Sequence, residues 1–128
     1  MTRPYVPLQC LSHYSFLEGA SSPADLVVAA KALGLEALAL TDRDGIYGIP
    51  RAHVVAREAG LRLIIGSRLT LGDDSTLVLL ATGREGYANL CRLITTGRLR
   101  SAKGECSVEW SEVAGHAEEL IALWGGRR

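Results

Sequence analysis

Several features that define other protein classes are absent from this chain of 128 residues or scarce in it. It has three cysteines and no CxxC pair, so neither a disulfide framework nor a zinc ribbon is indicated. No apolar run approaches the roughly 20 residues of a membrane span, and no apolar signal-peptide segment follows the first residues. We therefore expect a protein of the reducing cytoplasm that has no membrane partner.

Net charge is absent as well, because 14 basic side chains balance 14 acidic ones. This balance gives no electrostatic reason for the whole domain to bind nucleic acid. One stretch, residues 84–103, is locally basic and has Glu85 as its single acid. Its cations are Arg84, Arg92, Arg98, Arg100 and Lys103. A solvated helix face is the ordinary interpretation of such a stretch, and a contact with nucleic acid or a partner protein is the alternative.

The common phosphate-binding and hydrolase motifs are missing too, namely GxxxxGK[ST], GxGxxG after a strand, GxSxG and HExxH. Hydrophobic residues make up 48% and charged residues 22% of the sequence, which is the balance of a folded globular protein. Aromatic residues make up only 5%, so the core depends on Leu, Val, Ile and Ala. The length allows one domain, and we expect residues 1–128 to form it.

Strand-like and helix-like apolar patterns alternate along the chain. The predicted strands are residues 5–11, 37–40, 61–71, 76–81 and 120–124, with a hairpin turn at residues 72–75. The predicted helices begin at Ser21-Ser22-Pro23, Ile49, Arg84 and Ser111, and the first three end near Gly34, Ala59 and Thr95. This alternation predicts an α/β domain with mainly parallel strands and one hairpin.

Sheets of this kind place their functional groups in the loops that follow the carboxyl ends of the strands. Asp42 directly follows a buried strand. Its carboxylate suits a metal ligand or a base, and it equally suits a cap of the turn that follows. His13 and His53 are further candidates, although a single histidine is more often a surface residue. The residues themselves leave these roles open.

Four segments of the chain stand out as motifs: SHYSFLEGAS (residues 12–21), ALTDRDGIYG (39–48), LIIGSRL (63–69) and LVLLATGREGYANLCRLIT (77–95). In this order and spacing they resemble the PHP domains of bacterial DnaE-type DNA polymerases, which are C-family enzymes like the DNA polymerase III alpha subunit. CLSHYSFLEGAS and EGYANLCRLIT, with RAH at residues 51–53, look most similar to the error-prone branch. The resemblance covers residues 5–126 and implies the N-terminal portion of a distorted, TIM-like β/α barrel.

The resemblance also implies a set of metal ligands, because active PHP domains hold up to three divalent ions, zinc or manganese, for phosphoester hydrolysis. At the family's ligand positions this chain retains Asp42 but has Gln9, Leu11 and Arg43 in place of histidines and Arg68 in place of a carboxylate. Leucine cannot coordinate a metal, and a permanently charged guanidinium repels one. We therefore predict a degenerate site with no metal cofactor in this chain, whereas the parent polymerase would use magnesium.

The altered ligand positions predict a vestigial pocket formed by His13, Asp42, Arg43 and Arg68. We expect Arg43 or Arg68 to fill the space of the lost metals and to form an ion pair with Asp42.

The resemblance implies that this chain is the N-terminal PHP piece of an error-prone polymerase whose parent synthesises DNA in replication, repair and damage tolerance. The piece itself is expected to be structural or to dock a partner, and DNA would be met only through the parent. The remainder of the polymerase, or another protein, would cover the open edge of the partial barrel. Two alternatives remain. One is a freestanding, divergent PHP-type phosphoesterase that uses His13, Asp42 and His53, and the other is a binding module that uses residues 84–103.

Overall fold

The computed structural model describes residues 5–15 and 19–127. Residues 1–4 and 128, and residues 16–18 within the SHYSFLEGAS motif, lie outside the described part, as do the side chains of residues 125–127. Helices and strands follow one another in an α/β order, which confirms the class expected from the sequence. They are α1 (Pro23–Ala32), β1 (Ala37–Arg43), α2 (Ile49–Ala59), β2 (Arg62–Thr70), β3 (Ser75–Ala81), α3 (Arg84–Arg100), α4 (Trp110–Gly115) and β4 (Leu120–Arg127).

The four strands form one open sheet in the order β1-β2-β3-β4. β1 and β2 are parallel, whereas β3 is antiparallel to both β2 and β4. Three strands therefore point the same way, as expected, and the hairpin strand β3 is the exception. Because β3 lies in the middle of the order, two of the three strand pairs are antiparallel.

The predicted first strand, residues 5–11, is not a regular strand. The segment runs alongside β1 with a single isolated bridge between Cys10 and Leu40. Ala39 N donates to Pro7 O over 2.9 Å and Thr41 N donates to Cys10 O over 2.8 Å. Pro7 has no N–H to return a hydrogen bond, so a continuous ladder cannot form at this position.

The helix starts and stops follow local chemistry, with two corrections. Ser22 caps α1 as predicted, because its Oγ accepts from Asp25 N over 3.1 Å and proline opens the helix. α4 is not capped by Ser111. Its N-cap is Glu109, whose backbone N–H donates to the Glu112 side chain over 2.9 Å. The second correction is α3, which ends at Arg100 rather than near Thr95.

The helices that the structure describes cover one face of the sheet only. One cluster of buried side chains joins α3 and α4 to β2 and β3, and a second joins α1 and α2 to β1. The opposite face, which we call the helix-free face, has a small cluster of Ala39, Val78 and Leu80 with Ile64 and Leu123 packed against it. At the end where β1 and β2 begin, a cavity of about 710 Å³ lies beside these residues. The sheet is therefore a barrel fragment with one side uncovered within the described residues.

Within residues 5–15 and 19–127, none of the helices combines the length and apolar character that crossing a bilayer requires.

Candidate functional site at the carboxyl end of β1

Asp42 lies near the end of β1 and is only 2% exposed. Its Oδ1 accepts hydrogen bonds from Ser12 N over 2.6 Å and from Ser15 Oγ over 2.8 Å. Its Oδ2 accepts from Ser12 Oγ over 2.7 Å. Ser12 and Ser15 are themselves fully buried. A buried carboxylate needs such partners, and Asp42 obtains them from a loop about thirty positions earlier in the chain.

The same network fixes the loop after the N-terminal segment. Ser15 Oγ also accepts from Arg43 N over 2.9 Å, so this hydroxyl bridges the Asp42 side chain and the next backbone amide. The chain then passes very close to itself, since a Cβ on Gly19 would lie 2.2 Å from Ser12 O. Glycine is therefore required at that point, while the hydrogen bonds of Ser12 and Ser15 hold the loop to β1.

The N-terminus of α2 lies next to the Asp42 carboxylate. Gly48 is the N-cap of α2, and a Cβ there would lie 3.3 Å from Asp42 Oδ2 and 2.7 Å from Pro23 Cγ. The absence of a side chain at Gly48 allows this approach. The positive end of the helix dipole favours a negative charge at this position.

The expected ion pair between Asp42 and an arginine is not formed. Asp42, Arg43 and Arg68 are all described residues, and the carboxylate receives its hydrogen bonds from the two serines instead. The physical reason is strand alternation. Asp42 points toward the helices, because Gly48, the N-cap of α2, lies next to its carboxylate. Arg43 is the next residue in the strand, so its side chain starts on the opposite face. Arg68 lies opposite Arg43 in the register and also opposite Val78 of the helix-free face.

The remaining predicted positions are not brought into a common pocket with Asp42. Gln9 is exposed and Leu11 is half-buried in the segment beside β1. His13 is exposed and contacts Tyr14, with their ring centroids 4.7 Å apart. His53 is exposed on α2.

The residues present do not fit the metal cluster that the family resemblance implies. Among residues 5–15 and 19–127, no group of three or more histidines, cysteines, aspartates and glutamates could hold a metal ion. Hydroxyl groups donate to both oxygens of the one retained ligand, Asp42. Arg43 and Arg68 place guanidinium groups at two further ligand positions.

Asp44 is a second buried carboxylate that sequence reasoning did not single out. Its backbone is left-handed, with φ of 50°. Its Oδ1 accepts from Thr70 N over 2.7 Å and its Oδ2 from Thr70 Oγ1 over 2.8 Å. Its carbonyl oxygen accepts from Arg98 Nε over 3.0 Å. Asp44 thus ties the ends of β1, β2 and α3 together. The Asp-Gly pair at residues 44–45, typical of a turn with positive φ, was the available signal.

The Cys106 thiol is buried close to this junction. Burial and the nearby Asp44 carboxylate raise the pKa of Cys106 to about 11, while Arg98 and Arg100 lower it by less. The thiol is therefore protonated at neutral pH and is a poor nucleophile or metal ligand there.

The cations of residues 84–103 do not share one contact. Arg92 pairs with Glu85 over 3.3 Å, and Arg100 pairs with Glu112 of α4 and lowers the pKa of that carboxyl. Arg98 binds the Asp44 carbonyl. Arg84 lines the 710 Å³ cavity, and Lys103 is exposed in the loop after α3.

Known proteins resemble this chain in sequence. The PHP domain family model matches residues 7–128, nearly the whole chain, so this chain belongs to the PHP domain family. It is 43% identical over 119 residues to error-prone DNA polymerase 1 of Agrobacterium fabrum, which covers 93% of this chain and 11% of that protein. It is 48% identical over 126 residues to the error-prone DNA polymerase of Ralstonia nicotianae, covering 94% and 12%. The chain therefore spans only about a tenth of these relatives.

Solved structures share the fold. An amidohydrolase from Chromobacterium violaceum, with bound sulfate and no metal, matches with a TM-score of 0.56 and 27% identity over 74% of this chain and 34% of its own. A protein from Bifidobacterium adolescentis that is predicted to be a metal-dependent phosphoesterase matches with a TM-score of 0.55 and 21% identity, over 91% of this chain and 46% of its own. The family and the barrel-fragment fold expected from the sequence are confirmed.

Proposed function

We propose that this chain is a metal-free PHP element of an error-prone DnaE-type DNA polymerase, with a structural or docking role in the cytoplasm. The parent enzyme would synthesise DNA in replication and damage repair, and this chain would support it without performing the chemistry. Identities of 43–48% to error-prone polymerases over more than nine-tenths of the chain support the assignment to that branch.

One observation carries the metal-free part of the proposal. Asp42 is the ligand position that the chain retains, and its two oxygens accept three hydrogen bonds from Ser12 and Ser15. A metal ion at Asp42 would have to displace these donors from a fully buried site. The network makes Asp42 a structural anchor that fastens the 12–15 loop to β1.

The uncovered parts of the sheet support the docking part. No helix packs on the helix-free face within the described residues, and Ile121 there is 51% exposed. Among the residues that the structure describes, β4 pairs with β3 alone, so its outer edge carries unpaired backbone groups there. We propose that the remainder of the polymerase covers this face and this edge.

Metal analysis and an activity assay on the purified chain test the proposal. We expect substoichiometric zinc and manganese after exhaustive dialysis, and no manganese-stimulated release of phosphate from a model phosphodiester. Asp42→Ala serves as the matched control, because in the metal-free reading it changes stability and leaves the metal content unchanged. One bound metal ion per chain that Asp42→Ala removes, with metal-dependent hydrolysis, would establish the phosphoesterase alternative instead.

A further inference from the structure

Three exposed aromatic rings meet beside the carboxyl end of β1, and we call them the aromatic platform: His13, Tyr14 and Tyr47. The ring centroids of Tyr14 and Tyr47 are 6.2 Å apart with their planes inclined at 34°, and His13 meets Tyr14 edge-on. Tyr14 is 51% and Tyr47 61% exposed, so much of their ring surface faces solvent. In a chain with few aromatic residues, a group of exposed rings outside the core is suited to bind a ligand that has a flat surface of its own.

The Tyr47 ring of the platform is held in place although it is exposed. The Tyr47 ring lies against the Gly45 backbone, where a Cβ would come within 2.7 Å of Cε2. The guanidinium carbon of Arg98 lies 5.6 Å from the centroid of the Tyr47 ring. Arg98 is fixed in turn by its hydrogen bonds to the Asp44 carbonyl. A pre-ordered surface loses little conformational entropy when a ligand binds.

The guanidinium group beside the platform is that of Arg98, which lies over the Tyr47 ring. Exposed rings beside guanidinium groups are the combination that binds single-stranded nucleic acid, since bases stack on the rings and phosphates meet the cations. Zero net charge of the whole chain limits such a contact to a few nucleotides.

We propose that the aromatic platform binds a short segment of single-stranded DNA, with bases stacked on Tyr14 and Tyr47 and a phosphate beside Arg98. The choice of DNA rests on the proposed function, because the related proteins are DNA polymerases. The stacking geometry itself does not depend on that function.

Fluorescence anisotropy of a labelled oligo(dT) with the purified chain is the test. We expect saturable binding with a shallow salt dependence, because only a few phosphates are met. Tyr14→Ala and Tyr47→Ala should each weaken binding by about tenfold or more. Tyr47→Phe should bind like the parent chain because it keeps the ring.

Tyr5→Ala is the matched control. Tyr5 is 68% exposed and belongs to the segment that runs parallel to β1, toward the opposite end of that strand from Asp42. Its removal should leave oligo(dT) binding unchanged. Circular dichroism and thermal midpoints of all variants show whether the fold is intact, and the exposed positions of both platform tyrosines favour intact folds.

Absence of oligo(dT) binding, or equal binding by the parent chain and both alanine variants, overturns the inference. Binding of a proline-rich peptide in place of oligo(dT), with loss in the same variants, also overturns it by making the platform a peptide site. These outcomes are separable from failure of the proposed function. A metal-free chain without hydrolytic activity that ignores oligo(dT) contradicts only the platform, whereas a metal-dependent phosphoesterase contradicts the proposed function.

Discussion

Asp42 and Asp44 are buried carboxylates two positions apart at the end of β1. Asp42 accepts from two hydroxyl groups and a backbone amide, and Asp44 accepts from one of each. Ser12 supplies both kinds of donor to Asp42, and Thr70 supplies both to Asp44. These bonds join segments 30 and 26 positions apart. A carboxylate retained at a family ligand position can therefore be explained by the stability that it gives to this junction.

Replacing Asp42 with asparagine tests this explanation through stability. The amide group cannot accept at one of the two oxygen positions, so a donor from Ser12 or Ser15 loses its partner in a buried site. We expect the free energy of unfolding to fall by about 1.5–3 kcal/mol, the range for hydrogen bonds to charged groups. Urea denaturation monitored by tryptophan fluorescence measures it.

Asp74→Asn is the control for that substitution. Asp74 is exposed, and its φ of 65° is a conformation that asparagine also tolerates. Its effect should stay within about 0.5 kcal/mol. Equal stability of the Asp42→Asn and parent chains would show that the serine network contributes nothing.

The Cys106 thiol should make the free energy of unfolding depend on pH above neutrality. Its pKa is about 11 in the folded chain against an ordinary thiol value of 9.0, mainly because of burial. Between these values the folded state binds more protons than the unfolded state, so the free energy of unfolding falls as the pH rises. Below pH 9 this contribution is fully present.

The measurement is urea denaturation at several pH values between 8 and 11, on the parent chain and on Cys106→Ala. We expect the parent to lose more stability than the variant over this interval, because the variant has no thiol to titrate. Parallel curves for the two proteins would refute the assignment to Cys106.

At the scale of helices and strands, capping and turn residues in the sequence predicted the helix boundaries that depend on residues close in the chain. Ser22 and Pro23 start α1, and α2 spans Ile49–Ala59 as expected, with Gly60 at φ 73° behind it. The end of α3 and the partners of Asp42 depend on residues distant in the chain, which periodicity does not reveal. Strand alternation also placed Arg43 away from Asp42, and a ligand-by-ligand comparison with the family does not contain that information.

Gly97 lies in the part of α3 that extends past the predicted end near Thr95. This residue is buried where α3 crosses the 101–108 segment, and a Cβ would lie 2.6 Å from Cys106 Sγ and 2.9 Å from Val108 Cγ1. Glycine weakens a helix by about 1 kcal/mol relative to alanine. The close contact with Cys106 and Val108 is therefore what makes glycine acceptable here.

Gly97→Ala decides between these two effects. Overpacking costs about 1–3 kcal/mol, so we expect a net loss of stability despite the gain in helix propensity. Gly115→Ala, at the end of α4 with no atoms within 4 Å of the added Cβ, should be neutral or stabilising. Chemical denaturation of both variants measures the difference, and a stabilised Gly97→Ala protein would mean that the crossing is loosely packed.

At the scale of the whole molecule, the helices of residues 5–15 and 19–127 cover the sheet on one side only. The two larger clusters lie under helices, whereas the helix-free face ends in the part-buried Ile64 and Leu123 and the half-exposed Ile121. An uncovered apolar face beside an unpaired strand edge favours association with another chain. The matching segment makes up only 11% and 12% of the two related polymerases, so most of each relative lies outside it.

Ile121→Glu tests whether the helix-free face is adhesive in the isolated chain. Leu80 lies opposite Ile121 in the sheet, and the side chain of Ile121 lines the 710 Å³ cavity. A carboxylate there should reduce the binding of a hydrophobic dye and lower any self-association seen in sedimentation velocity. Because Ile121 is already 51% exposed, the stability cost should be small.

Leu99→Glu is the matched control. Leu99 is a leucine of α3 that is 82% exposed, and its substitution should change neither dye binding nor association. If both variants lower dye binding equally, general surface hydrophobicity rather than the helix-free face drives association, and the docking surface would have to lie elsewhere.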